Sequence, residues 1–241
     1  MNFKKLYILF LLFILITFGC GSQVCGYSVS EQPTISSGSA VLIENSTSKV
    51  LFDKNMNSKL EPASITKIMT AILAIENCDL NDTVTVPYEA ISNIPSGYSI
   101  VPLQTDEQIT VDQLLRVLMV HSANDAANVL AFHIDGSISA FAERMNAKLN
   151  ALGLHDSHFT NPSGQHDENH YSTAHDIALL LQYCMKNSTF KNYASLKSCH
   201  LSATNKSDER SFENTNPMLQ PNSSYSVSYT HLRAHETSLH L

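Results

Sequence analysis

Residues 61–77 read EPASITKIMTAILAIEN, and the rest of the chain is best read outward from them. Pro62 fixes its own φ and lacks an N–H, which suits a helix start. Behind it, Ile65, Ile68, Met69, Ile72 and Leu73 recur at helical spacing, which predicts a buried helix over residues 65–75. Ser64 stands at the start of that helix, and Lys67 lies three residues on, on the same face. The hydroxyl meets the positive end of the helix dipole. The amine sits among apolar neighbours, where it loses proton affinity and can take the proton of Ser64. A nucleophile and its base then share one helical turn.

Upstream, residues 40–43 and 50–52 are β-prone and the polar residues 45–49 between them read as a hairpin turn. Downstream, residues 83–86 form a short strand and residues 87–102, rich in Ser, Pro and Gly, form a loop. Thr110 can cap a helix with Val111, Leu114, Leu115 and Leu118 inward. Another helix begins near Asn124. Ser137 caps the next, which Gly153 stops. Residues 155–171 read as loop and 173–185 as a helix carrying Ile177, Leu180, Leu181 and Cys184. Beyond Leu201 the helical pattern ends, and residues 202–224 are polar without apolar periodicity. A hairpin followed by a helical middle is an α+β arrangement.

Composition narrows the classes. Of 241 residues 43% are hydrophobic and 15% charged, so the chain can bury a core and is neither disordered nor a charged coiled coil. Lys plus Arg number 15 against 22 for Asp plus Glu, with no basic block, which argues against nucleic acid as a partner. Lys4 and Lys5, an apolar run over residues 6–18, and the small residues from Gly19 to Gly26 read as an export signal. Cys78, Cys184 and Cys199 have no metal-like spacing and form no evident disulfide framework. His155, His158, His166, His170 and His175 cluster without a zinc pattern and read as polar loop residues.

Spacing alone is weak evidence for the Ser64–Lys67 pair. Ser-x-x-Lys occurs three times, at Ser46–Lys49, Ser64–Lys67 and Ser188–Lys191, and only the second opens a buried helix. Ser122-Ala123-Asn124 strengthens it, as the only Ser-x-Asn in the chain and a segment between two expected helices. Ser122 can relay a proton to a leaving group. Asn124 can hold Lys67 and a substrate carbonyl by hydrogen bonds, while also capping its helix.

The two motifs together resemble the active-site pairing of penicillin-binding proteins and class A β-lactamases. Residues 61–70 (EPASITKIMT), 121–127 (HSANDAA), 161–164 (NPSG), 170–174 (HYSTA) and 203–206 (ATNK) resemble, more specifically, the low-molecular-weight D-alanyl-D-alanine carboxypeptidases, the S11 serine peptidases. The resemblance spans residues 37–219. It implies a β-lactamase/transpeptidase-like fold, an antiparallel sheet with a helical lobe and the site between. It implies that Ser64 is acylated, that Lys67 is its base, and that Ser122 and Asn124 complete the relay and the amide-holding contacts. The implied substrate is a peptidoglycan stem peptide ending in D-Ala-D-Ala, with β-lactam antibiotics as acylating inhibitors and no metal or organic cofactor. The implied location is the bacterial cell envelope outside the cytoplasm, with an uncleaved signal or a C-terminal anchor as the route to membrane association.

One family motif is missing. The family carries Lys-Thr-Gly or Lys-Ser-Gly on a strand lining the cleft, and its lysine binds the substrate carboxylate. Lys197-Ser198-Cys199 and Lys206-Ser207-Asp208 come nearest here, and neither has the glycine. Residues 226–241 match nothing before them and read as a foreign tail, so native sequence is expected to end near Tyr225 of a longer gene. The expected layout is a signal peptide at 1–26, a linker at 27–36, a partial carboxypeptidase domain at 37–225 and the tail at 226–241. Lacking part of the cleft wall and the later sheet strands, the chain as given is expected not to turn over substrate. The alternatives are a class A-like β-lactamase and an inactive penicillin- or wall-binding homologue. Ala123 in the second motif and the lack of a following Glu-x-x-x-Asn separate the chain from the first.

Overall fold

The computed structural model describes residues 34–216 and Leu219. The expected export signal at 1–26, most of the linker at 27–36 and the expected tail at 226–241 lie outside these residues. The chain divides into two units after Ser36, and every element below belongs to the second.

Strands β1 (Ala40–Ile43) and β2 (Val50–Lys54) form the expected antiparallel hairpin. A 3-10 turn (Ala63–Thr66) leads directly into helix α1 (Lys67–Asn77). Residues Ile68 to Ala74 of α1 are all buried, polar Thr70 among them, so this helix is central to the core rather than a one-sided surface helix. Helices α3 (Val111–His121), α4 (Asn124–Asp135), α5 (Ile138–Ala151), α6 (Ala174–Cys184) and α7 (Ser188–Ala194) all pack against it. Strand β3 (Thr83–Thr85) pairs antiparallel with β4 (Gln108–Thr110).

The expected caps form. Thr110 accepts the Gln113 N–H while the Gln113 side chain accepts the Thr110 N–H, a complete capping box. Ser137 caps α5 through the Ala140 N–H; Thr173, expected as the first helical residue, instead caps α6 through the Asp176 N–H. Gly153 follows α5 at φ 75°, a backbone region open to glycine.

Three parts of the sequence reading are corrected. The stretch 87–102 is not all loop: Tyr88–Ile91 forms a four-residue helix, α2, too short to show a periodicity. A seven-residue helix, α7, follows Asn187, whose side chain accepts the Phe190 N–H, and buries Phe190, Tyr193 and Ala194. The polar stretch after Leu201 contains the second half of a hairpin, β5 (Ser198–Leu201) with β6 (Arg210–Glu213). Cys199 and Leu201 alternate inward along β5, but β6 offers only Phe212 as an apolar residue, so periodicity could not reveal the pair. Side-chain hydrogen bonds from its loop anchor it instead.

Candidate active site

The geometry begins with the 3-10 turn. Expected as α-helix, the first turn is tighter, and side chains three residues apart on a 3-10 turn eclipse one another. Ser64 and Lys67 are thereby brought together: Lys67 Nζ lies 3.1 Å from Ser64 Oγ. Pro62 precedes the turn, and Ala63 is held at φ 46°, a conformation that costs a non-glycine residue about 1–2 kcal/mol. Ser64 stands early in the first turn, where backbone N–H groups lack helical partners. Its own N–H thus lies among those without a helical partner.

Lys67 is 3% exposed. Burial lowers its pKa from 10.5 to about 7, partly opposed by the charge of Asp125. A substantial fraction of the amine is therefore neutral near pH 7, as a general base requires. Its second contact is the Ser163 carbonyl, at 2.8 Å. One amine hydrogen can stay on that carbonyl while the lone pair faces Ser64.

Ser163 is placed by the Asn161-Pro162-Ser163-Gly164 loop, whose role sequence spacing does not reveal. The Asn161 carboxamide oxygen accepts the N–H groups of Ser163, Gly164 and Gln165 at 3.2, 2.8 and 3.0 Å, and its nitrogen donates to the Gln165 carbonyl at 2.8 Å. Such side-chain-to-backbone bonding is what Asn supplies in turns. Thr70 Oγ1 donates to the Pro162 carbonyl at 2.6 Å, and Gly164 packs so closely on Ala63 that a Cβ there would overlap the Ala63 carbonyl.

His170 is a further correction. It is buried rather than a polar loop residue, 3% exposed and stacked on Phe159 at 5.2 Å. Nδ1 accepts the Thr160 N–H at 3.0 Å, so Nε2 carries the hydrogen and donates to Thr66 Oγ1 at 2.8 Å. Burial lowers its pKa from 6.5 to about 4. His170 thus ties the loop to Thr66, the residue before Lys67, as a neutral ring.

Ser122 and Asn124 occupy the junction of α3 and α4. Ser122 caps α3 in the left-handed conformation, φ 58° and ψ 36°, and its hydroxyl has no partner among the described residues. Asn124 is 4% exposed. Its backbone and side-chain N–H groups both donate to the Ser99 carbonyl, at 2.8 and 2.9 Å. The expected hydrogen bond from Asn124 to Lys67 is not among those formed; the amine's partners are Ser64 and Ser163. Asp125, in the first turn of α4, is 2% exposed and accepts the N–H groups of Val101 and Leu103.

The chain matches the sequence family described as D-alanyl-D-alanine carboxypeptidase, peptidase S11, over residues 27–229. It is 41% identical over 153 residues to D-alanyl-D-alanine carboxypeptidase DacF of Bacillus subtilis, covering 61% of this chain and 39% of that protein. It is 34% identical over 158 residues to DacA of Escherichia coli, covering 62% and 39%. Penicillin binding protein 6B from Escherichia coli superposes with a TM-score of 0.72 at 30% identity, over 80% of this chain and 62% of that one. The D-alanyl-D-alanine carboxypeptidase of Mycobacterium tuberculosis gives 0.72 at 28% identity, over 80% and 71%. These likenesses establish the β-lactamase/transpeptidase-like fold. The chain spans about two fifths of the length of the curated relatives it matches.

Proposed function

From the premise that this chain belongs to the D-alanyl-D-alanine carboxypeptidase family, we propose that Ser64 is acylated by a peptidoglycan stem peptide and releases its terminal D-Ala. The observation that carries this reading is the 3.1 Å contact between Ser64 Oγ and an amine whose burial brings its pKa to about 7.

Neutral Lys67 takes the Ser64 proton along that contact, and Oγ attacks the carbonyl carbon of the penultimate D-Ala. The developing oxyanion meets the Ser64 N–H at the start of the turn. Ser122 passes a proton to the departing D-Ala nitrogen, and water then hydrolyses the acyl-enzyme. Asn124, anchored to Ser99, holds the wall against which the acyl chain lies. A β-lactam acylates the same hydroxyl and stays, because its leaving group remains tethered. No Lys-Thr-Gly or Lys-Ser-Gly occurs in the 241 residues, so the substrate carboxylate is assigned to no residue here. The basic and apolar N-terminus supports export to the cell envelope.

The test uses fluorescent penicillin and diacetyl-Lys-D-Ala-D-Ala on a chain extended to the length of its relatives, so that a Lys-Thr-Gly strand is present. Ser64→Ala is expected to abolish covalent labelling and D-Ala release together. Label persisting in Ser64→Ala would remove Ser64 from the nucleophile role. Rapid hydrolysis of the penicillin instead of stable labelling would identify a β-lactamase.

A further inference from the structure

We infer that Arg210, paired with the buried Glu107, is a positioning residue for the Ser122–Asn124 wall of the cleft. The inference rests on the acylation of Ser64 proposed above and assigns a role to the hairpin that the sequence did not reveal.

Residues 99–108 are held from two sides. On the inner side, Asn124 binds the Ser99 carbonyl, Ser99 Oγ donates to the His121 carbonyl at 2.7 Å, and Asp125 takes the N–H groups of Val101 and Leu103. On the outer side, the β5–β6 hairpin grips the same segment. Arg210 Nη1 donates to the Val101 carbonyl at 2.8 Å while Nη2 pairs with the Glu107 carboxylate. Thr204 Oγ1 donates to the same carboxylate oxygen, Glu107 Oε1, at 2.9 Å, and the Gln104 N–H donates to Oε2 at 2.9 Å. Asn205 accepts the Gln108 N–H and donates to the Asp106 carbonyl, and the Gln104 side chain donates to the Lys206 carbonyl.

Val101 is the shared point. Its N–H goes to Asp125, next to Asn124, and its carbonyl goes to Arg210. The hairpin also reaches α3 directly, with Phe212 against the His121 ring at 4.8 Å and the Thr215 N–H on the Val120 carbonyl. Ser122 is therefore the half-buried tip of a turn braced on both flanks. Glu107 is fully buried, so a charge left there without Arg210 is costly and the segment must move to solvate it. Removing the arginine releases Val101, and with it the seats of Asn124 and Asp125.

The experiment measures the acylation rate constant at saturating fluorescent penicillin for the full chain, Arg210→Met, Arg210→Lys and Arg144→Met. Arg144 forms an ion pair with Asp135 away from this wall, so its loss reports destabilisation alone. Hydrogen exchange of the Val101, Leu103 and Asn124 amides is read in parallel. Arg210→Met is expected to slow acylation about 10–100-fold, the scale of a misplacement near 1 Å, and to speed exchange at those amides. Arg210→Lys keeps the charge but loses the fork to Val101, and should fall between. Arg144→Met should lower stability with an acylation constant near that of the wild type. If Arg210→Met does not fold, Arg210→Lys carries the test by itself. Acylation and exchange unchanged in a folded Arg210 variant would overturn the inference while leaving Ser64 as nucleophile. A wild-type chain that takes no label would overturn the acylation reading and this inference with it.

Discussion

Gly164→Ala should displace Ser64, the proposed nucleophile, without touching it. Gly164 sits at φ 81°, and a Cβ there would lie 1.7 Å from the Ala63 carbonyl oxygen, 2.3 Å from its carbon and 3.0 Å from Thr66 Oγ1. The first two are backbone atoms of the residue before Ser64 and cannot swing aside as a side chain would. Either the loop or the 3-10 turn must retreat by more than about 1 Å, enough to cost on the order of 10²-fold in a reaction that depends on alignment. The positive φ adds about 1–2 kcal/mol and the overlap about 1–3 kcal/mol, so about 2–5 kcal/mol of stability is at stake. That is within the usual 5–15 kcal/mol of a folded domain, and predicts a Tm lower by about 5–20 °C rather than an unfolded chain. The assay pairs thermal unfolding with the rate of fluorescent-penicillin labelling. Gly136→Ala is the control: φ is 74° but nothing lies within 4 Å of the added carbon, so strain comes without the clash. Gly164→Ala labelling at the wild-type rate with an unchanged Tm would refute the argument that this loop seats the nucleophile.

Two further predictions come from the buried titrating groups. Lys67 has its folded pKa lowered from 10.5 to about 7, so the acylation rate should rise with pH through about 7, and Lys67→Ala should slow acylation by ~10²–10⁴. The same shift makes the unfolded chain bind more protons between about 7 and 10.5, so stability contributed at this site should increase as pH rises across that window. A rate profile flat from pH 6 to 9 would remove Lys67 as the base. His170, lowered from 6.5 to about 4, is neutral in the fold, so stability should decline as pH falls from about 6.5 to about 4 and level off below. The loss at the lower limit is about 3 kcal/mol. Unfolding of wild type and His170→Gln across that range reads it, and identical pH slopes would sink the assignment.

Which parts of this structure were legible in the sequence follows from distance along the chain. The helix behind Ser64 and the caps at Thr110 and Ser137 involve residues within one or two turns, and each is readable from residue type and spacing. Strands β5 and β6 were not, because what holds them is Arg210, Thr204 and Asn205 reaching across about a hundred residues to the segment around Glu107. The role of Asn161 is hidden for the same reason: it sets the Ser163 carbonyl, 96 residues from the lysine that carbonyl meets.

The three Ser-x-x-Lys matches show what spacing leaves undecided. Ser46 is exposed and spends its hydroxyl on Glu44. Ser188 is exposed at the first residue of α7, and Lys191 one turn on is only half-buried. Only Lys67 is sealed, and it is sealed by groups remote in sequence, among them the Ser163 loop that His170 and Thr70 clamp to α1 and the turn before it. Proximity to Ser64 comes from local geometry, but proton affinity near neutrality comes from desolvation that only the assembled fold supplies. For the acylation proposed above, the motif would therefore name the reacting atoms, and the Asn-Pro-Ser-Gly loop sets Lys67 apart from the lysines of the other two identical spacings.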